Sequence, residues 1–183
     1  MKIQFHGQNC FSIHGKDVSL AFDPNETLKG KFDFVMNSGG FQKACDSLKD
    51  IKKVLQLPGE FEISGALVRG FYSRLGNVVY KVTLEGVSFV HLGSLESKPS
   101  TEFFEKLGEN VDVVLVTLSD KFGVKDVKDL IETLDPRYTF IGGSQSFFPK
   151  MVEEGARIAE ENPLNIAQTS LNEERSDVLI LPI

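Results

Sequence analysis

The chain has 183 residues, which sets a single domain over residues 1–183 as the default, because domains hold about 100–200 residues. Apolar residues make up 41% and Phe alone contributes 15, enough for a packed core and too many for a disordered chain. Twenty Lys and Arg against 26 Asp and Glu give a net charge of −6, and the longest basic block is Lys52-Lys53, so nucleic acid and anionic membrane surfaces are poor partners. No apolar run approaches the roughly 20 residues needed to span a bilayer. The opening Met1-Lys2-Ile3-Gln4-Phe5-His6-Gly7 lacks the apolar stretch of a secretory leader, which points to the cytoplasm. In a reducing compartment Cys10 and Cys45, the only cysteines, are expected as free thiols.

Lys2–His6, Cys10–His14 and Val18–Phe22 read as three short strands of a meander, split by Gly7 and by Gly15-Lys16-Asp17. Asp23-Pro24 ends the third, because Pro cannot donate to a ladder. Phe32–Met36 reads as a strand and Phe41–Leu48 as a short helix. Val54–Leu57, Phe61–Ser64, Ala66–Phe71, Val78–Leu84 and Val87–Leu92 continue the strands, punctuated by Gly65, Gly76-Asn77 and Glu85-Gly86.

The second half alternates. Ser100–Leu107 reads as a helix that Ser100 can cap. The apolar run within Asp112–Leu118 suits a strand buried on both faces. Val124, Val127, Leu130, Ile131 and Leu134 recur at helical spacing up to Asp135-Pro136. Tyr138–Ile141 reads as a strand, Pro149–Glu161 as a helix with Pro in its first turn, and Asp177–Ile183 as a closing strand. A meander followed by β-α-β-α units implies an α/β fold with two sheets covered by outer helices.

In the same order along the chain, several segments resemble those of one family. Phe5-His6-Gly7-Gln8-Asn9-Cys10-Phe11 resembles a Leu-Gly-His-Ser-Cys-Phe hairpin, and Leu20-Ala21-Phe22-Asp23-Pro24 an Asp-Pro strand end. Leu57-Pro58-Gly59-Glu60-Phe61-Glu62-Ile63 resembles a Pro-Gly-Glu-Tyr-Glu-Ile segment, and His91-Leu92-Gly93-Ser94-Leu95 a His-Leu-Gly-Asp-Leu segment. Together with Phe32–Ser38 and Asp135-Pro136-Arg137-Tyr138, these segments resemble the small bacterial hydrolase-like branch of the metallo-β-lactamase-fold superfamily. The resemblance implies a four-layer αββα sandwich with two mixed β-sheets.

The departures from that family concern its metal. The family's His-x-His-x-Asp-His ligands align with Gly39, Phe41, Lys43 and Ala44, its bridging Asp with Ser94, and its last His with Gly142 or Gly143. A further ligand is expected near residues 71–74, where no His stands. Zinc needs Cys, His or carboxylate donors, and Gly, Ala and Phe supply none. The three histidines, His6, His14 and His91, have no near neighbour of their own type. His6 reads as structural and His14 as solvent-exposed; His91, at a strand end, is the strongest functional candidate of the three. No metal and no cofactor are therefore expected.

The resemblance places Asp23, Ser38, Gly39, Gly40, Glu60, His91, Ser94, Gly142 and Gly143 around the former cleft. Asp23 is expected to order residues 37–40 by accepting backbone hydrogen bonds. The glycine pairs allow backbone N–H groups to approach an anion, although such pairs more often mark turns. Phe103-Phe104 and Phe147-Phe148 are each expected to bury one ring and leave the other for an interface. The resulting expectation is a pseudoenzyme that binds a small molecule or a protein, with room for a homo-oligomer. The alternatives are a hydrolase with a divergent site on His91, Asp23 and Glu60, and a module that binds a small anion through its glycine loops.

Overall fold

The computed structural model describes residues 1–39, 48, 51–74, 76–171 and 176–183. Short β-prone runs separated by tight turns pair with their neighbours first. β1 (Lys2–Phe5), β2 (Phe11–His14) and β3 (Ser19–Phe22) form an antiparallel meander, and β4 (Phe34–Met36) and β5 (Lys53–Leu55) add to it in parallel. β6 (Gly59–Ile63), β7 (Ala66–Arg74), β8 (Asn77–Leu84) and β9 (Val87–His91) form a second antiparallel series. The β6–β7 hairpin turns on Ser64 and Gly65, with φ of 52° and 82°, the twist that a two-residue hairpin loop requires.

Helical crossovers then extend the second sheet in parallel. α1 (Thr101–Leu107) leads to β10 (Val113–Leu118) beside β9, and α2 (Val124–Leu134) to β11 (Tyr138–Gly143) beside β10. After α3 (Phe148–Glu153) come β12 (Arg157–Ile158), β13 (Leu164–Asn165) and β14 (Asp177–Ile180). β13 crosses to the first sheet and pairs with β1, which gives the order β13-β1-β2-β3-β4-β5; the second sheet runs β12-β14-β11-β10-β9-β8-β7-β6. Both sheets are mixed, as expected.

The sheets face each other across a core that includes Phe5, Phe11, Phe22, Phe34, Tyr80, Phe89 and Phe140. The other face of the second sheet is covered by Phe103 and Leu107 of α1, Val127 and Leu130 of α2, and Met151 of α3. On the outer face of the first sheet Cys10, Ala21 and Val35 are covered by Leu28, Phe32 and Leu48. The helix expected at Phe41–Leu48 lies outside the described residues but for Leu48, and Cys45 falls there too. No described helix is long and apolar enough to cross a membrane.

Local chemistry sets the helix ends. Ser100 caps α1 by accepting from the Phe103 N–H at 3.3 Å, and Lys81 Nζ donates to Leu107 O at its far end at 3.2 Å. In α2 the Asp126 carboxylate accepts from the Gly123 N–H at 3.0 Å. The helix expected over Pro149–Glu161 stops at Glu153 instead, because Gly155 takes a φ of 100° and Ala156 N–H folds back on Met151 O at 3.0 Å. The chain beyond it pairs as β12. The exposure expected for His14 is corrected as well: the ring is half-buried, with Nδ1 3.0 Å from Ser19 Oγ. Of the aromatic pairs, Phe103 is buried and Phe104 half-buried, while Phe147 and Phe148 are both half-buried, so none is left fully exposed.

Candidate functional site

One end of the sandwich gathers the β1–β2 turn and the residues that follow β3, β4 and β9. Asp23, immediately after β3, has a left-handed φ of 43°. Its Oδ1 accepts from the Ser38 N–H at 2.6 Å and its Oδ2 from the Ser38 hydroxyl at 2.5 Å. Ser38, which follows β4, is only 1% exposed, and its carbonyl accepts from Val78 N–H of β8 at 2.8 Å.

His91 ends β9 and points between the sheets. Its ring stacks on Phe22 at 4.6 Å between centroids and meets Phe11 edge-on at 5.8 Å. Nε2–H donates to Asn9 O at 3.0 Å, and Asp23 Oδ2 lies 3.9 Å from the same nitrogen. Nδ1 is buried with no hydrogen-bond partner among the described residues. Burial pushes the His91 pKa below the usual imidazole range and outweighs the opposing pull of Asp23 and of the Asn9 carbonyl, so the ring is neutral at pH 7.

Beyond His91 the chain turns at Gly93, whose φ is 63°. A Cβ there would stand 2.5 Å from both Asn77 Oδ1 and Ser38 Cβ, so only glycine lets this turn come so close. Asn77 starts β8 and is fully buried. Its amide donates to Ser73 Oγ at 2.8 Å and Leu92 O at 3.0 Å, and its Oδ1 accepts from Ser94 N–H at 2.9 Å. Ser94 Oγ accepts from Asn9 Nδ2 at 2.5 Å.

These groups enclose a polar cavity of about 120 Å³ lined by Gln8, Asn9, Asp23, Asn25, Ser38 and Ser94. Asn9 and Ser94 also line a cleft of about 400 Å³ with Glu96, Thr117, Ser119 and Lys121. Glu96 bridges Lys121 at 2.9 Å and Arg74 at 3.0 Å, and the Lys121 hydrogen bond, with smaller help from Arg74, holds its carboxyl below the usual range.

Asp23, Ser38, His91 and Ser94 thus come together. Asp23 orders the loop after β4 through Ser38, and Gly39 follows as an exposed residue. Gly40, Phe41, Lys43 and Ala44 lie outside the described residues. Glu60 does not join the site: it pairs with Arg69 across the β6–β7 hairpin at 3.1 Å, with its side chain 77% exposed. Gly142 and Gly143 do not line the cavity either. A Cβ on Gly142 would stand 2.4 Å from the Phe5 ring and one on Gly143 2.5 Å from Leu118 O, so these glycines serve close packing and not an open anion nest. Asn9 and Asn77 were not marked by the sequence. Asn77 sits in a Gly-Asn pair that reads as a turn, and nothing local says that its amide is buried.

The donor set among the described residues does not fit a zinc centre. Among the described residues no three His, Cys, Asp or Glu side chains gather to hold a metal. Asp23 spends both oxygens on Ser38, His91 spends Nε2 on a carbonyl, and the remaining groups are hydroxyls and amides, which zinc seldom takes. Among the described residues the arrangement also lacks an activated nucleophile. The Ser38 hydroxyl faces a carboxylate but is sealed from solvent, and Ser94 is exposed but bonded to an amide with no base beside it.

A family model described as a beta-lactamase superfamily domain matches residues 2–140. Among solved structures, a candidate Zn-dependent hydrolase of the metallo-beta-lactamase superfamily from Thermotoga maritima superposes with a TM-score of 0.87 at 21% identity, over 100% of both chains. A metallo hydrolase from the archaeon Ignicoccus hospitalis gives 0.63 at 13% identity, over 91% of this chain and 99% of its own. The metallo-beta-lactamase fold protein YhfI from Bacillus subtilis gives 0.62 at 9%, over 99% and 96%. A comparison with curated protein sequences finds no match. At these identities the structural likeness speaks for the fold, and with the family model spanning residues 2–140, the chain belongs to the beta-lactamase superfamily, on the metallo-β-lactamase fold.

Proposed function

We propose that this chain is a metallo-β-lactamase-fold pseudoenzyme that works without a catalytic metal, as a binding or scaffold protein. One observation carries the reading: the Asp23 carboxylate, which could still ligate a cation, is committed at both oxygens to Ser38. The positions aligned with the family's metal ligands hold Gly39, Phe41, Lys43, Ala44, Ser94 and Gly142 or Gly143, none with a donor that zinc favours. A divergent hydrolase on His91, Asp23 and Glu60 loses support, because Glu60 lies on the solvent face of a hairpin and the His91 ring is sealed under Phe22.

The cleft of about 400 Å³ favours a small polar ligand as the bound partner, since Asn9, Thr117 and Ser119 line it beside the Glu96–Lys121 pair. Elemental analysis of protein purified without chelator and without a metal-binding tag tests the central reading. Less than about a tenth of a metal per chain is expected, because zinc sites that fold proteins bind tightly. Near-stoichiometric zinc, iron or manganese would overturn it. A metabolite screen by thermal shift then separates the two roles. A ligand at about 100 times its dissociation constant stabilises by about 2.7 kcal/mol, whereas a pure scaffold shows no such shift.

A further inference from the structure

The residues that fail to fit a metal have another use, and it rests on the metal-free reading above. The β1–β2 turn belongs to the first sheet, yet three of its bonds run to the second. Asn9 O accepts from His91, Asn9 Nδ2 donates to Ser94 Oγ, and Gln8 O accepts from Thr117 Oγ1 at 3.3 Å. The loop after β4, also of the first sheet, is held in the same way: Ser38 O accepts from Val78 N–H, and Gly93 lies so close that a Cβ on it would overlap the Ser38 side chain. Asn77 lies beneath both contacts. It fixes Ser94 and Leu92 at once, and every polar atom of its side chain is bonded.

We propose that the chain Asn9–Ser94–Asn77, with the Asp23–Ser38 pair beside it, is a hydrogen-bonded clasp that joins the two sheets at the end where this family's zinc ligands would converge, so that the fold closes without metal. Asn9 and Ser94 meet at the surface, while Asn77 and Ser38 beneath them are buried groups that would otherwise be costly. Buried amides and carboxylates destabilise unless each is paired, and a fully satisfied network fixes a single arrangement.

Thermal melting of the full chain, in chelator and in added zinc, tests this with Asn77→Ala, with the milder Asn9→Ala, and with Glu60→Gln as a control outside the clasp. The wild type is expected to melt at the same temperature in both conditions. Asn77→Ala is expected to melt about 5 °C or more lower, since it strands the Ser94 N–H and the Leu92 carbonyl. Asn9→Ala should fall by a smaller amount and Glu60→Gln by none. Amide exchange adds a local readout: in Asn9→Ala and Asn77→Ala the amides of Ser94 and Val78 should lose protection ahead of those in β10 and β11. Asn9→Ala keeps the test open if Asn77→Ala does not fold. Metal-free protein whose Asn9 and Asn77 variants melt and exchange like the wild type overturns the clasp and leaves the metal-free reading standing. A wild type that carries metal and melts earlier in chelator overturns both.

Discussion

Gly93 and Gly65 have the same backbone problem and different surroundings. Both take a left-handed φ, 63° and 82°, where a Cβ is strained. A Cβ on Gly65 would meet nothing within 4 Å, whereas one on Gly93 would overlap Asn77 and Ser38. Gly65→Ala is therefore expected to cost about 1 kcal/mol, the backbone strain alone. Gly93→Ala adds an overlap with buried, fully bonded groups and should cost about 3 kcal/mol or more. Urea unfolding measures both, and equal losses would show that the close approach at Gly93 carries no energy. The identity of Gly93 was legible in the sequence as part of a His-Leu-Gly segment. The reason only glycine fits was not, because Asn77 and Ser38 reach it from 16 and 55 residues away.

Among the elements, β6 is the most instructive. Among the described strands it forms an edge of the second sheet, with β7 on its inner side. An edge strand offers unpaired N–H and C=O groups to any passing strand, and charge on it discourages such pairing. Glu60 and Glu62 supply that charge on the solvent face, while Phe61 and Ile63 pack on the core between the sheets. The Pro-Gly-Glu-Phe-Glu-Ile motif that marked Glu60 for the cleft thus has a structural use: its alternation is that of an edge strand. Glu60→Val combined with Glu62→Val is expected to produce concentration-dependent association, visible by light scattering, with little change in melting temperature. A variant that stays monomeric at high concentration would show that other features guard this edge. Elements whose signals are local were legible: Ser100 announced α1, and the apolar spacing of 124–134 announced α2. β12 and β13, two residues each, were not, because such short strands exist only through partners far along the chain.

At the scale of the whole molecule, the fold lowers the pKa of all three histidines. Burial lowers the pKa of His91, and it does the same for His6 and His14, helped by His14 and Lys2 respectively. A lowered folded value means that the unfolded chain takes up protons first, near its ordinary imidazole value of about 6.5. Stability is therefore fully present above that pH and is lost as the pH falls through it toward the lowered folded values. The melting temperature should drop between pH 7.5 and pH 5.5, and His91→Leu should flatten part of the slope, since burial of this ring lowers its pKa against the opposing pull of Asp23 3.9 Å away. A flat profile over that interval would contradict the neutral burial of these rings.

The sequence by itself determined the class of fold and the absence of zinc donors at the aligned positions. The first follows from periodicity, a local property, and the second from residue type once the family resemblance supplies the alignment. Alternation makes strands, 3.6-residue spacing makes helices, and Gly or Phe cannot ligate zinc wherever it stands. Only the tertiary structure decided what occupies that place. It set Glu60 and the glycines at 142 and 143 apart from the cavity, and it brought Asn9, Asn77 and Ser94 into one network from separate parts of the chain. Hydrogen-bond partners across two sheets are fixed by how the sheets stack, and no window of sequence contains both ends of such a bond.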